Sequence, residues 1–273
     1  MQLIFFDLDG TLLNDASEIS VFTKETLKLL GEKDIAYTVA TGRTMLSAQR
    51  IVEGHNFTLP HIFNNGVTVW DPNSKEVTLE NLLDSDEIST VIEVALSHGI
   101  TPFINVIDNH HKHFIFHAKI QHEIEKDLIE KYFAGSMATL LPLETLPTGS
   151  QVTNISMIGD ATGIKKMWHF FNSHNNLIAY SGPAIQGGNF WWMDVHHKRA
   201  NKGSAVTNLK NKLGASKVIC FGDGDNDLSM FAEADECYAP ENAKSEIKES
   251  AHGVIGHNHE DGIAHFLRER FSL

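Results

Sequence analysis

Short apolar segments that each run into polar residues constrain the fold of this 273-residue chain more than any other feature. They are residues 3–6 (LIFF), 36–41 (AYTVAT), 61–64 (HIFN) and 217–223 (KVICFGD). Continuous apolar runs are typical of strands in a parallel sheet that is covered on both faces. Residues 20–33 separate the first two runs and carry apolar side chains at helical spacing behind Ser20, a suitable N-cap. The pattern therefore predicts a βαβ unit in an α/β fold.

The middle of the chain has a different pattern, because its apolar and polar residues alternate. Alternation is found in 101–107 (TPFINVI), 113–118 (HFIFHA) and 152–159 (VTNISMIG), and helical spacing in 85–99, 121–135 and 162–174. Alternating strands expose one face, so these segments predict an antiparallel sheet with helices on one side. We expect a Rossmann-like parallel-sheet core formed by residues 1–82 and 188–273, and an inserted α+β domain at 83–187.

Charge and composition exclude some classes of partner. The chain has 35 acidic and 22 basic residues, a formal charge of -13, which repels nucleic acid and anionic membranes. The N-terminal residues lack the features of a signal peptide, and no apolar run approaches the roughly 18 residues of a membrane span. Cys220 and Cys237 are expected to be buried, reduced thiols. We expect a cytoplasmic protein that is a monomer or a homodimer.

Four short motifs follow predicted strands or begin a predicted helix: DLDGT (7–11), TGR (41–43), Lys202, and GDGDND (222–227). Open α/β sheets bind ligands at the carboxyl ends of their strands, so these motifs are expected to converge. A carboxylate such as Asp7 can attack phosphorus and divide one displacement into two easier steps. Asp9 lies on the same side of the extended chain and can exchange protons with the leaving oxygen and with water.

The acidic residues of these motifs predict a metal site. Asp7, Asp9, Asp223 and Asp227 in one cluster would raise one another's pKa values unless a cation were present. Mg²⁺ takes oxygen ligands in octahedral geometry, and the carboxylates of Asp7 and Asp223 with a main-chain carbonyl would supply them. The alternative, that 222–227 begins an EF-hand calcium loop, is disfavoured because no glutamate stands at the closing position.

The remaining motif residues are suited to phosphate. Thr41 and the backbone of Gly42 can donate hydrogen bonds to phosphate oxygens. Lys202 supplies a positive charge to the transferring group and shields it from the nucleophilic carboxylate. Together with the acidic cluster, these residues point to phosphoryl transfer on a small phosphorylated metabolite.

In this order along the chain, the motifs resemble those of haloacid dehalogenase (HAD) superfamily phosphatases of the Cof-type group, and the resemblance covers essentially the whole chain. It implies the HAD fold, with a large cap between the second and third motifs that carries substrate specificity. It implies that Asp7 is the nucleophile that forms an aspartyl-phosphate and that Asp9 is the general acid/base. Thr41 and Lys202 would bind the phosphate.

The same resemblance implies a Mg²⁺ ligand set and a substrate-facing side. The ligands would be Asp7, the main-chain carbonyl of Asp9, and Asp223, and the metal shell would be supported by Asn226 and Asp227. The substrate-side candidates are Arg43, Asn65 and Gly66. The Asn-Gly pair matches one that the group places near the substrate entrance, whereas Arg43 either holds the cap closed or contacts phosphate.

Two segments depart from the group's pattern and put the substrate, rather than the reaction, in question. Residues 238–243 read YAPENA where the group has a Gly-Asn-Ala, and residues 191–203 are unusually rich in Trp and His. Side chains of adjacent strand residues point to opposite faces, so at most one of Trp191 and Trp192 is expected to face substrate, and packing is favoured for both. The role of the histidine-rich segment 109–122 is left open.

The sequence therefore predicts a Mg²⁺-dependent phosphatase that hydrolyses a small phosphate monoester, such as a sugar phosphate or a phosphorylated cofactor like pyridoxal phosphate. Within the superfamily, the presence of Asp9 indicates phosphate monoesters or a mutase. A phosphomutase of the phosphomannomutase type is an alternative, although the lysines of the cap are mostly interleaved with acidic residues. A non-catalytic regulatory or binding protein is the other alternative.

Overall fold

The computed structural model describes residues 1–130, 137–184 and 187–273. The chain forms two compact units: the first comprises Met1–Thr78 and Asn201–Leu273, and the second comprises Leu79–Ala200. The strands are β1 (Gln2–Phe6), β2 (Ala36–Val39), β3 (His61–Phe63), β4 (Thr68–Trp70), β5 (Val77–Leu79), β6 (Phe103–Ile107), β7 (His113–His117), β8 (Thr139–Pro142), β9 (Val152–Asp160), β10 (Leu177–Pro183), β11 (Phe190–His197), β12 (Lys217–Phe221), β13 (Glu236–Pro240) and β14 (Gly253–Ile255). The helices are α1 (Val21–Glu32), α2 (Met45–Val52), α3 (Ser85–Ser97), α4 (Glu123–Leu128), α5 (Ala161–Ser173), α6 (Lys202–Leu213), α7 (Leu228–Glu233), α8 (Ser245–Ser250) and α9 (Gly262–Phe271).

The first unit is built on a parallel sheet in the order β14-β13-β12-β1-β2. The position of β1 inside this sheet explains why its sequence is apolar without interruption. Ile4 and Phe6 pack into the hydrophobic cluster on one face of the sheet, and Leu3 and Phe5 into the cluster on the other. Both faces of β1 are thus buried, as the sequence predicts for a parallel strand. The predicted α/β fold class is confirmed.

Helix α1 begins where the sequence predicts. The Ser20 hydroxyl accepts a hydrogen bond from the backbone N–H of Thr23, and this satisfies a donor that the first helical turn leaves without a partner. Its inward face includes Leu27 and Leu30, which are fully buried against the sheet. The helix connects β1 to β2 and completes the βαβ unit.

The parallel arrangement brings the ends of β1 and β12 side by side. The backbone N–H of Asp7 donates to the carbonyl of Phe221 at 2.9 Å, so the hydrogen-bonded pairing continues to the last residue of β12. The DLDGT loop and the GDGDND loop both begin at this edge. The sheet therefore holds two of the predicted motifs in contact.

The second unit has a six-stranded sheet in the order β10-β11-β9-β6-β7-β8. Its pairs are antiparallel apart from β7 and β8, which run parallel. The prediction of an antiparallel sheet is wrong at that edge, because alternation of side chains does not encode strand direction. Helices α3 and α5 pack on one face through a cluster that includes Val91, Ile155 and Phe171.

This unit extends beyond the predicted range 83–187 at both ends, because it begins at Leu79 and ends at Ala200. Strand β11 pairs with β9 and β10, so residues 188–200, which the sequence analysis placed in the core segment, lie in the second unit. The helix predicted over 121–135 begins at Glu123, and residues 131–136 lie outside the described part of the chain. Among the described residues, no helix combines the length and apolar character needed to cross a membrane.

Candidate active site

The loop after β1 presents Asp7 and turns immediately back toward β12. Asp7 is buried, and Gly10 adopts a left-handed conformation with φ of 70°. A Cβ atom at Gly10 would collide with the carboxylate of Asp223, so this position requires glycine for both space and conformation. The Thr11 hydroxyl donates to Oδ1 of Asp223 at 3.1 Å. The first and last motifs therefore form one structural unit.

Lys202 joins this unit from the first position of α6. Its side chain is fully buried, and Nζ donates to Oδ1 of Asp7 at 2.5 Å and to Oδ1 of Asp227 at 2.6 Å. Asn201 caps the helix by accepting from the N–H of Ser204 at 2.9 Å, which fixes where the helix begins and so where Lys202 projects. A buried ammonium between two carboxylates is a charge-assisted contact that fixes the position of the Asp7 carboxylate.

Asp227 organises the acidic loop rather than offering a free carboxylate. Its Oδ1 accepts from Lys202, and its Oδ2 accepts from the backbone N–H groups of Asp223 and Gly224, each at 2.9 Å. At Gly222 a Cβ atom would collide with the same carboxylate. Asp227 thus closes the loop that carries Asp223 and also orients Lys202.

The electrostatic balance of this cluster favours an added cation. Burial raises the pKa of Asp7 well above its ordinary range, and although Lys202 opposes this, the charges of Asp227 and Asp223 add to it. Burial and the charge of Asp227 raise the pKa of Asp223 to about 6. Burial disfavours the charged form of Lys202, but Asp227 and Asp7 together raise its pKa above the ordinary value. The single positive charge of Lys202 does not balance the negative charges of three ionised carboxylates.

The donor set fits a hard divalent ion. Asp7, Asp223 and Asp227 each offer a carboxylate oxygen, and these atoms lie within 4.8 Å of one another. Because both oxygens of Asp227 already accept hydrogen bonds, Asp7 and Asp223 are the carboxylates suited to direct coordination. Oxygen ligands with one or two carboxylates are what Mg²⁺ takes in proteins. The EF-hand alternative does not fit: residues Asp225–Asp227 form a 3₁₀ turn at the start of α7, and Asp225 pairs with Lys244 at 2.5 Å.

The second motif follows β2. Thr41 is buried, and its Oγ1 accepts from the backbone N–H of Arg43 at 3.1 Å. Its backbone carbonyl accepts from the N–H of Asn65 at 3.0 Å. A Cβ atom at Gly42 would lie 3.3 Å from the side-chain amides of both Asn65 and Asn226. The TGR turn is thus held close to two amide side chains.

Asn65 links the second motif to the acidic loop. The Asn226 Nδ2 donates to Oδ1 of Asn65 at 2.9 Å. Asn65 is buried and left-handed, with φ of 52°, and Gly66 follows with φ of 101°. A side chain at Gly66 would press on the backbone carbonyl of Asn201 at the start of α6. The structure shows these two residues bracing neighbouring motifs; their position near a substrate entrance stays a prediction.

Arg43 forms a bidentate pair with Asp9. Nε donates to Oδ2 and Nη2 donates to Oδ1, both at 2.6 Å. The side chain of Asp9 is 55% exposed and that of Arg43 is 24% exposed, so the pair contributes little to stability despite its good geometry. The sequence left the role of Arg43 open, and the structure places its guanidinium on the predicted acid/base.

Thr11 and Asn242 hold the site together and were not among the predicted site residues. The Asn242 Nδ2 donates to the Gly10 carbonyl at 2.7 Å, and its Oδ1 accepts from the N–H of Asn258 at 3.1 Å. Asn258 in turn donates from Nδ2 to the Leu13 carbonyl at 2.8 Å. The YAPENA segment, which departs from the expected pattern, therefore still supplies an amide that fastens the DLDGT loop. The Asn-Ala pair in this segment, which matches the end of the group's Gly-Asn-Ala, was the feature of the sequence that could have identified Asn242.

The fold agrees with comparisons to known proteins. The family model for haloacid dehalogenase-like hydrolases matches residues 4–267. The pyridoxal phosphate phosphatase YbhA of Escherichia coli (strain K12) is 27% identical over 278 residues, covering 97% of this chain and 97% of that protein. The 5-amino-6-(5-phospho-D-ribitylamino)uracil phosphatase YwtE of Bacillus subtilis (strain 168) is 26% identical over 292 residues, covering 100% and 99%. A solved haloacid dehalogenase-like hydrolase from B. subtilis has the same fold, with a TM-score of 0.79 at 21% identity over 98% of this chain and 99% of that one.

Proposed function

Because this chain belongs to the haloacid dehalogenase-like hydrolase family and is a phosphatase, we propose that it hydrolyses small phosphate monoesters with Mg²⁺ through a phosphorylated Asp7. The observation that carries the proposal is the buried Lys202, which holds the Asp7 carboxylate beside Asp223 at the end of β1. The names of the relatives YbhA and YwtE, a pyridoxal phosphate phosphatase and a phosphoribitylaminouracil phosphatase, support a phosphorylated cofactor or a related compound. A sugar phosphate is the other candidate.

In the first step, the Asp7 carboxylate attacks phosphorus and forms an acyl phosphate while the bond from phosphorus to the ester oxygen breaks. The leaving oxygen takes a proton from Asp9, which exchanges its pairing with Arg43 for contact with substrate. In the second step, water attacks the same phosphorus and gives its proton to the Asp9 carboxylate. The bond between phosphorus and Asp7 breaks, which releases inorganic phosphate and restores the nucleophile.

Other residues of the cluster bind and orient. Asp7, Asp223 and the main-chain carbonyl of Asp9 would hold the metal, with Asn226 and Asp227 supporting that shell. A bound Mg²⁺ would neutralise carboxylate and phosphate charge during transfer. The phosphate-binding groups are Thr41, the Gly42 backbone and Lys202, and the substrate-side candidates are Arg43, Asn65 and Gly66. The inserted domain is proposed to carry substrate specificity.

The test is phosphate release by the purified protein from a panel of sugar phosphates, nucleotides, pyridoxal phosphate and an aryl phosphate. We expect turnover with Mg²⁺, none with excess chelator, and a loss of at least about 10³-fold in Asp7→Asn. Asp225→Asn is the matched control, because Asp225 lies in the same acidic motif but its side chain is exposed and pairs with Lys244. Full turnover by Asp7→Asn, or equal rates in chelator, would overturn the mechanism.

The mutase alternative is separated by product analysis. A hexose phosphate is incubated with the protein, with and without the corresponding bisphosphate activator. The proposed phosphatase releases inorganic phosphate in both cases, whereas a mutase yields an isomeric hexose phosphate only with the activator.

A further inference from the structure

One face of the six-stranded sheet in the second unit carries a connected set of polar side chains. Asp194 on β11 and Ser156 on β9 are register partners, and the Ser156 hydroxyl donates to Oδ1 of Asp194 at 2.5 Å. The Nδ2 of Asn154 donates to the same oxygen at 3.2 Å, and the Nδ2 of Asn105 donates to the Ser156 hydroxyl at 3.1 Å. Several strands therefore contribute to one network.

This network lies opposite the core of the second unit. Met193 and Val195, the neighbours of Asp194 along β11, are fully buried in the cluster beneath α3 and α5. Because side chains alternate across a strand, Asp194 must project from the other face. A polar network of this size is not needed to pack that cluster.

The carboxylate of Asp194 has acceptor capacity left over. Both of its hydrogen bonds reach Oδ1, and none of the described residues donates to Oδ2. Burial raises the pKa of Asp194 above its ordinary value, so a donor that reached Oδ2 would stabilise the charged form. The serine and asparagine side chains already bond to one another or to Asp194. Within this network, Oδ2 of Asp194 is therefore the acceptor that a ligand could reach.

Trp192 lies two residues before Asp194 on the same face. Its register partner on β10 is Gly182, and a Cβ atom at Gly182 would lie only 3.2 to 3.3 Å from the indole ring. The ring thus covers the glycine backbone, while 39% of the residue remains exposed. Trp191 behaves differently, since it packs against the core on the opposite face, with the Lys165 ammonium 4.4 Å from its ring. Trp191 thus packs in the core, whereas Trp192 packs over Gly182 and keeps part of its ring exposed.

We propose that Trp192 and Asp194 bind a planar nitrogen heterocycle, which stacks on the indole and donates an N–H or O–H to Oδ2 of Asp194. Residues two apart on a strand are about 7 Å from each other, the span of a six-membered ring with one substituent. Aromatic rings stack on tryptophan in an offset arrangement. Tyr180, the register partner of Asp194 on β10, adds a second aromatic ring to this face. Two aromatic rings beside a carboxylate suit a flat ring better than a sugar, which needs hydrogen-bond partners around its rim.

The proposed site lies wholly within the second unit, so the inference does not depend on the phosphatase reaction. Binding is tested without catalysis by titrating the whole protein with pyridoxine, which has the ring but no phosphate, and following tryptophan fluorescence. We expect pyridoxine to quench the fluorescence of the wild type. Trp192→Leu should lower the affinity for pyridoxine about tenfold, the size of one stacking contact. Trp191→Leu is the matched control on the opposite face and should bind as the wild type does.

Further titrations test the two contacts separately. Asp194→Asn should also bind pyridoxine about tenfold more weakly than the wild type, because it loses the charged acceptor. Trp192→Phe should restore most of the affinity that Trp192→Leu loses, because it retains a flat ring. Equal affinity of the wild type, Trp192→Leu and Asp194→Asn for pyridoxine, or tighter binding of ribose than of pyridoxine, would overturn this inference, whatever the phosphatase assay shows.

Discussion

Replacing Asp223 by asparagine should stabilise the metal-free protein at neutral pH. The pKa of Asp223 rises from 3.8 to about 6 in the folded chain, because burial and the Asp227 charge disfavour its ionised form. A carboxyl group whose pKa is raised by folding stabilises the fold below its unfolded pKa, and that contribution is lost as the pH rises through the folded pKa. The ionised Asp223 therefore destabilises the metal-free protein above pH 6.

The size of the effect follows from this pKa. Each pKa unit is worth about 1.4 kcal/mol, so the difference between 3.8 and about 6 corresponds to about 3 kcal/mol in the free energy of unfolding. Asparagine has nearly the same shape and can still accept from Thr11, so Asp223→Asn should recover most of this. The gain should shrink to about one third at pH 4.5, where the folded carboxyl is protonated.

The assay is urea unfolding in excess chelator at pH 4.5 and pH 7.5, for wild type and Asp223→Asn. Asp225→Asn is the control, because that side chain is exposed and paired with Lys244. Adding Mg²⁺ should stabilise the wild type at pH 7.5 and have much less effect on Asp223→Asn, since ligand binding to the folded state adds to its stability. A destabilised Asp223→Asn in chelator, or a gain that is equal at the two pH values, would refute the electrostatic reasoning.

Three other changes have defined outcomes. Lys202→Met leaves Asp7 and Asp227 buried without their shared cation, so urea unfolding in chelator should show a loss of about 3 to 5 kcal/mol at pH 7.5; a neutral result would contradict the bridging role. Asn242→Ala removes the donor to the Gly10 carbonyl, so it should lower the free energy of unfolding by about 1 kcal/mol. In the phosphate-release assay it should lower kcat about tenfold, which corresponds to about 1.4 kcal/mol. An unchanged kcat would show that the DLDGT loop keeps its position without this hydrogen bond. Burial lowers the pKa of His61 from 6.5 to about 4, so the folded protein loses up to about 3 kcal/mol as the pH falls from 6.5 to 4; His61→Phe should reduce that loss in unfolding experiments, and an identical pH profile would contradict it.

The parts of the fold that the sequence predicted are those set by local pattern. The apolar run of β1 requires burial on both faces, and Ser20 provides the cap at which α1 begins. Such features depend on residues a few positions apart, so spacing alone indicates them. The convergence of Asp7 and Asp223 follows from the parallel direction of β1 and β12, which the βαβ pattern also predicts.

The parts that it did not predict depend on distant partners. The alternation Trp191, Met193 and Val195 marks β11 as a half-exposed strand, but nothing local says which sheet it joins. The pairing of Arg43 with Asp9 and of Asn242 with Gly10 each connects separate loops. Side chains with several possible partners are assigned by the tertiary structure, which spacing along the chain does not encode.

The central claim is that Asp7 carries the phosphoryl group, and trapping that intermediate tests it most directly. The protein is mixed with substrate and Mg²⁺, quenched in acid within milliseconds, reduced with borohydride, digested and analysed by mass spectrometry. An acyl phosphate on Asp7 is reduced to the alcohol, so we predict homoserine at position 7, dependent on substrate and absent without Mg²⁺. Turnover with residue 7 unmodified, or a reduced carboxylate at Asp9 or Asp223 instead, would contradict the account.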